Sequence, residues 1–382
     1  MGGFGNARVG WTDPSLRNGR TIRTVRSTVT MNMAAIRKLR RSAVGDRPAQ
    51  VYLCFLGMCR RRDSGRDLVM EDTPSTARSQ VATVNPFQPP GSLNLTFLLG
   101  TGRCGSTLLY KVLTQHPLLG FPTNLDDRFG RLAPSLRRLA AAMHQWSRPG
   151  FPPKRVRPSE AQTALAREVS PLVVEPFREL VAADVTPWLA RRLSTFFEDR
   201  AAREGVDHYV HKFTGWPRVG FLLEVFPQAR FVHILRDGRA VASSWTQMPW
   251  WRGHLGPCGW HYGPLPDAYA EEWDRDGRSM IHLAGIGWKI LMDAYEHARM
   301  SVPPDQWLEV RYEDLVDDPR KQMTMVLEFL GLPWTSRFDR CFGRHRFENR
   351  QVEAFRHDLT PGQLALLNRS LGPHLGERGY TF

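Results

Sequence analysis

The chain has 382 residues, 42% of them apolar, enough for one large domain or two ordinary ones with a substantial core. Its five cysteines (Cys54, Cys59, Cys104, Cys258, Cys341) are scattered and form no pair of CxxC elements, which argues against both a zinc site and a disulfide framework. The net charge of +14 is uneven, because residues 1–91 hold 15 Arg or Lys against 6 Asp or Glu.

In chain order, residues 1–91 show no sustained periodicity and close on the linker-like "NPFQPPGS". A basic, disordered extension is the expectation. A nucleic-acid arm is the alternative, but aromatic residues are not interleaved with the arginines, so no nucleic-acid partner is expected. The segment "MEDTPSTARS" raises Met70 as a second possible translation start. The apolar run Val51 to Cys59 is far short of the ~20 residues a membrane helix needs. No basic, apolar and small-residue succession resembles a secretion signal, so a cytoplasmic protein without a transmembrane segment is expected.

From residue 92 to 382 the pattern is that of one domain. "LNLTFLL" (Leu93 to Leu99) is a continuous apolar run, as a strand buried on both faces of a parallel sheet requires. "HYVHKF" (His208 to Phe213), "RFVHIL" (Arg230 to Leu235) and "QWLEVRYEDL" (Gln306 to Leu315) give three more strand candidates, separated by helical stretches. Alternation of this kind predicts an α/β, P-loop-like three-layer fold with a central parallel sheet. Residues 119–205 read as proline-broken helices without strand candidates. Together with the Trp-, Gly- and Pro-rich Trp245 to Pro266, they are expected as insertions above the strand C-terminal ends, where such sheets place ligands.

The first strand runs into "GTGRCGST" (Gly100 to Thr107) and then a helix. A glycine turn opening a helix presents unpaired backbone N–H groups and the positive end of the helix dipole to an anion. Gly100, Gly102 and Gly105 permit close approach, Ser106 and Thr107 supply hydroxyls, and Arg103 supplies a cation. The lysine of the nucleotide triphosphatase pattern GxxxxGK[ST] is missing, and no acidic residue ends an apolar strand to hold magnesium. The sequence therefore argues against a kinase or GTPase. Further on, "FVHILRDGRAVASSW" places Arg236 directly after a strand and Ser244 eight residues later, about two helical turns along. Two anion sites at one rim of a sheet suit a nucleotide with phosphate at both ends of its ribose. Taken alone, Arg236–Asp237 reads equally as a strand-end salt bridge.

Together, "GTGRCGSTLL", "LRDGRAVASS" and "EVRYEDLVDDP" resemble, in that order, the sulfotransferases that use 3′-phosphoadenosine 5′-phosphosulfate. The resemblance covers roughly residues 93–335 and is nearer the tyrosylprotein and bacterial branches than the cytosolic, small-phenol branch. It implies a 5′-phosphosulfate loop formed by Gly102, Arg103, Cys104, Gly105, Ser106 and Thr107. It also implies a 3′-phosphate pair, Arg236 with Ser244, and a tyrosine, Tyr312, beside the nucleotide. The implied reaction is in-line attack of an acceptor hydroxyl on the donor sulfur, with Arg103 and then Lys212 as the catalytic cations and no metal. The acceptor would be a small molecule or a glycan, with carbohydrate and glycolipid hydroxyls ahead of phenolic metabolites. A nucleotide-binding protein of the same fold without transfer is the alternative.

The general base is where the chain departs from the family. The cytosolic branch has a histidine two residues after the lysine, where this chain has Thr214; the tyrosylprotein branch has a glutamate at an offset occupied here by Thr123 and Asn124. Asp126 and Asp127 are the candidates, although "NLDD" equally reads as a capped helix start. His116 and His211 are the fallbacks. Arg344, Arg346 and Arg350 are open choices for a further 3′-phosphate contact, and Trp245, Trp250, Trp251, Trp260 and Trp273 could form an acceptor platform or simply pack.

Overall fold

The computed structural model describes residues 93–130, 132–146 and 156–381, all within one compact unit spanning Thr83–Phe382. The expected extension over residues 1–91, its boundary and the Met70 start lie outside the described residues. Five strands form one parallel sheet in the order β2-β3-β1-β4-β5. They are β1 (Asn94–Gly100), β2 (Leu119–Gly120), β3 (His208–Thr214), β4 (Arg230–Leu235) and β5 (Trp307–Arg311). The four apolar runs are all strands. The short edge strand β2, which pairs Leu119 with His208, corrects the expectation that residues 119–205 hold none.

The continuous apolar character of β1 follows from burial on both faces. Leu95, Phe97 and Leu99 point into one core cluster and Leu98 into the other, and the last three are fully buried. On the first face Phe97 meets the rings of Phe197, Phe213, Phe226 and Phe231 at centroid distances of 5.6, 5.8, 6.1 and 5.9 Å. Burying one such side chain stabilises the fold by about 1.5–3 kcal/mol. That face is covered by α5 (Pro187–Glu204), α6 (Val219–Val225), α7 (Gly238–Thr246) and α8 (Met280–Met300). The opposite face is covered by α1 (Ser106–Leu113) and α10 (Pro319–Leu330). The arrangement is the expected three-layer α/β fold.

Helix α8 reads as amphipathic, yet Ile281 through Met292 are buried without a break. It lies between α7 and the C-terminal helix α11 (Pro361–Glu377), so its polar side chains need internal partners. Lys289 donates to Glu272 at 2.6 Å, and His282 lies 3.1 Å from the same carboxylate. Three shorter helices, α2 (Asn124–Phe129), α3 (Pro134–Trp146) and α4 (Gln162–Glu168), belong to the insertion after β2. Among the described residues no helix is long and apolar enough to cross a membrane.

Candidate active site

The glycine turn sits where central strand β1 ends. Gly102, Arg103 and Gly105 have φ of 80°, 58° and 89°. For Arg103, a residue with a Cβ, that left-handed geometry costs on the order of 1–2 kcal/mol and is held by its surroundings. Gly105 is the N-cap of α1 and has no side chain to cap it, so the first turn keeps its N–H groups directed at the turn. A Cβ on Gly105 would stand 2.2 Å from the ring of Tyr312, the first residue of α9 (Tyr312–Asp317). The tyrosine ring is therefore packed flush against the glycine turn.

The second motif enters from β4, the neighbour of β1. Arg236 is 9% exposed and donates through Nη1 to the carbonyl of Arg103 at 2.9 Å and through Nη2 to the carbonyl of Gln351. Its guanidinium carbon lies 4.6 Å from the Tyr312 ring centroid, and its buried Nε has no hydrogen-bond partner among the described residues. Arg103 in turn donates through Nε to the hydroxyl of Ser244 at 2.8 Å. Asp237 is not Arg236's salt-bridge partner. Its carboxylate accepts from the Arg239 backbone and side chain, at 2.8 and 2.7 Å, capping α7. The structure brings Arg103, Arg236, Ser244 and Tyr312 to one rim.

The third group enters from β3, the other neighbour of β1. Lys212 and Thr214 share the face that α1 covers. The Lys212 ammonium, 6% exposed, donates to the Thr107 hydroxyl at 3.1 Å and pairs with Glu160 at 2.8 Å. The other oxygen of Glu160 accepts from the Thr214 hydroxyl at 3.0 Å. Glu160 is absent from the sequence-based candidates. It arrives by backbone pairing: Thr123 and Pro158 form an antiparallel bridge, and Ser159 N–H donates to the Pro122 carbonyl at 2.9 Å.

The two favoured aspartates have other partners. Asp126 is fully buried and accepts from the Thr123 N–H at 2.7 Å in a capping box. It also pairs with Arg137 and, at 3.3 Å, with Arg200. Burial pushes nearby Glu204 up to about 7, although Arg137 at 3.0 Å opposes that rise. Asp127 accepts from the Ser159 hydroxyl at 2.7 Å and from Ala164 N–H at 3.1 Å, anchoring the segment that carries Glu160. Asp126 closes the capping box of α2, whereas Asp127 is a first-turn acid tied to the segment before α4.

Neither fallback histidine faces the turn. Fully buried His211 lies on the opposite face of β3 from Lys212, 4.4 Å from the Phe213 ring, and burial lowers it to about 3. His116 sits 2.9 Å from the Pro333 carbonyl at the far end of α1, and burial lowers its affinity for a proton. Of the tryptophans, Trp245, Trp251 and Trp260 are buried, with Trp245 stacked on Tyr262 at 5.4 Å. Trp273 donates to the Ser279 carbonyl at 3.0 Å, and Trp250 is 46% exposed. Trp260 donates to the Gly263 carbonyl, while the indole N–H groups of Trp245 and Trp251 have no partner among the described residues. Arg344, Arg346 and Arg350 are exposed, and Arg350 immediately precedes Gln351, whose carbonyl receives Arg236.

A family model described as the sulfotransferase family matches residues 96–336, which contain every residue of this rim except Gln351. The chain belongs to that family. Among curated relatives of this sulfotransferase chain, protein-tyrosine sulfotransferase 1 of Danio rerio is 26% identical over 286 residues, 74% of this chain and 66% of the relative. The omega-hydroxy-beta-dihydromenaquinone-9 sulfotransferase Stf3 of Mycobacterium bovis is 27% identical over 169 residues, 43% of this chain and 38% of the relative. The chain thus spans less than two thirds of the length of either. Among solved structures, sulfotransferase STF9 from Mycobacterium avium is 15% identical, covers 77% of this chain and 79% of its own, and has a TM-score of 0.48.

Proposed function

We propose that the chain transfers a sulfuryl group from 3′-phosphoadenosine 5′-phosphosulfate to an acceptor hydroxyl. The observation that carries this reading is the direct linkage of the two anion-binding elements: Arg236 donates to the Arg103 carbonyl at 2.9 Å while Arg103 donates to Ser244 at 2.8 Å. Two phosphate sites so joined suit the two ends of one nucleotide. The residues fit such a donor. The uncapped start of α1 and the turn Gly102–Thr107 would hold the phosphosulfate, and the unpartnered Arg236 Nε with the Ser244 hydroxyl would hold the 3′-phosphate. The flush Tyr312 ring would lie against the nucleotide.

In the transfer, the bond between sulfur and the oxygen bridging to phosphate breaks, and negative charge grows on that oxygen. Cations fixed beside it stabilise the transition state more than the ground state. Lys212, positioned by its hydrogen bond to Thr107, is the cation at that end, whereas Arg103, the first candidate from sequence, has its guanidinium on the Ser244 hydroxyl. Acceptors to be tried first are carbohydrate and glycolipid hydroxyls, then phenols. The relatives named above act on a protein tyrosine and on a hydroxylated menaquinone, so a hydroxyl acceptor is common to both. Phe177, Trp250 and Leu255 are exposed and offer apolar surface to a lipid-bearing acceptor.

The test is calorimetry with adenosine 3′,5′-bisphosphate, followed by incubation with sulfur-35-labelled donor and carbohydrate, glycolipid and phenol panels. Binding with label transfer supports the reading. Binding without transfer to any acceptor favours the nucleotide-binding alternative, and magnesium-dependent ATP turnover in place of bisphosphate binding would overturn both.

A further inference from the structure

We propose that Glu160 is the general base of the reaction. The inference rests on the sulfuryl-transfer reading above and adds the proton acceptor that the sequence motifs leave unassigned. The carboxylate bridges two β3 side chains on the face that α1 covers, pairing with Lys212 at 2.8 Å and accepting from Thr214 at 3.0 Å. Thr214 stands two residues after the lysine, where the cytosolic branch carries its histidine, and a threonine hydroxyl does not accept a proton at neutral pH. Glu160 brings a carboxylate to that place from outside the strand. Its side chain is 22% exposed, so an acceptor can reach it, whereas Asp126 is sealed among arginines.

The segment carrying Glu160 is fixed from three sides. Asp127 holds the Ser159 hydroxyl at 2.7 Å, Pro122 receives the Ser159 N–H at 2.9 Å, and the Tyr110 hydroxyl reaches the Ser159 carbonyl at 3.4 Å. Asp127 is therefore a positioning residue. Groups facing the Glu160 carboxylate are Lys212 and Thr214 from β3 and Gln162 at 3.4 Å from its own segment. Tyr110 of α1 and Arg218, which opens α6, lie within electrostatic reach.

The step balances without an oxidant, reductant or metal. The acceptor O–H gives its proton to Glu160 as the acceptor oxygen bonds to sulfur. The bond from sulfur to the bridging oxygen breaks, and its electron pair stays on the 5′-phosphate of adenosine 3′,5′-bisphosphate beside the Lys212 ammonium. One lysine thus stands between the base and the departing oxygen, and can leave the first for the second as charge develops.

The test uses the full chain with water as the sulfuryl acceptor, which removes any need to identify the natural one. Single-turnover release of sulfur-35 sulfate from the donor is measured across pH for the wild type, Glu160→Gln and Glu160→Asp, beside calorimetry with adenosine 3′,5′-bisphosphate. Glu160→Gln is expected to slow sulfate release by about 10²-fold or more, with bisphosphate affinity within a few-fold of wild type. Glu160→Asp should recover part of the rate, and the fall in rate on acidification should flatten in Glu160→Gln. Wild-type release from Glu160→Gln with the bisphosphate still bound overturns the assignment and leaves the sulfotransferase reading standing. So does a parallel loss of affinity and melting temperature with the pH profile unaltered in form, which would make Glu160 a holder of Lys212. A wild type that binds no bisphosphate and cleaves no donor sinks the underlying reading instead.

Discussion

Arg236 donates to the backbone carbonyl of Arg103 at 2.9 Å, so the cation leaving β4 holds the strained residue at the centre of the β1 turn. The bond makes one element of the two ends of the proposed donor site. Its loss would relax the turn and, on the proposed function, also remove a phosphate partner.

Arg236→Ala is expected to weaken adenosine 3′,5′-bisphosphate binding by about 10- to 100-fold, the loss of a charged hydrogen bond worth roughly 1.5–3 kcal/mol. Arg236→Lys should recover little, since a lysine cannot reach the Arg103 and Gln351 carbonyls with one planar fork. Calorimetry decides, and unchanged affinity in Arg236→Ala would remove this residue from the site.

Gly105→Ala combines a left-handed φ of 89° with a Cβ placed 2.2 Å from Tyr312. The backbone alone costs about 1–2 kcal/mol, and the ring must also move. The expected outcome is a lower melting temperature together with loss of bisphosphate affinity. A variant that melts lower yet binds normally would show that the turn tolerates displacement.

Lys212→Ala should separate chemistry from binding. With the ammonium gone, single-turnover transfer is expected to fall about 10²- to 10³-fold, as for removal of one transition-state donor. Bisphosphate affinity should fall by much less than the rate. An equal loss in both measurements would mean that Lys212 holds the nucleotide rather than the developing charge.

Buried His211 makes stability depend on pH. Its proton affinity falls from an unfolded value of 6.5 to about 3 in the fold, with desolvation the first cause, so below 6.5 the unfolded chain binds a proton that the folded chain refuses. Its contribution is intact above pH 6.5 and declines as the pH falls toward 3. At pH 5 the deficit from this one group is about 2 kcal/mol relative to neutral pH. His144 and His345, each lowered to about 4 chiefly by burial, act in the same direction, while Glu179, raised to about 7 by burial, opposes them. Denaturant melts of His211→Leu at pH 5 and 7.5 should show a smaller difference than wild type by that amount. An unchanged difference would mean that this histidine takes up a proton as readily in the fold as in the unfolded chain.

Sequence and structure agree where the physics is local or strongly patterned. The apolar runs of β1, β3 and β4 are legible because a parallel strand covered on both faces admits few polar residues. The glycine turn is legible because only particular residues tolerate its geometry. Strand β2, two residues long, carries no pattern. Glu160 was invisible for a different reason: it is placed by the Thr123–Pro158 bridge, a contact between segments 35 residues apart that local composition does not record. Asp126 and Asp127 have the chemistry of a base, but their partners are not readable from the motif. The arginines that bury Asp126 come from α3 and α5, and nothing near "NLDD" announces them. The buried Trp245, Trp251 and Trp260 show the same limit, since a tryptophan on a ligand surface and one in a core are spelled alike.

The strand order has a consequence of its own. With β1 flanked by β3 and β4, the sheet acts as a ruler: Lys212, the glycine turn and Arg236 hang from three adjacent rungs, and rungs of a sheet are about 4.8 Å apart. The spacing of those three strands is then set by the hydrogen bonding of the sheet. It can, however, be scrambled by a slip. Deleting one residue within His208–Val210 would turn Lys212 through the sheet into the phenylalanine layer and bring Phe213 to its place facing α1.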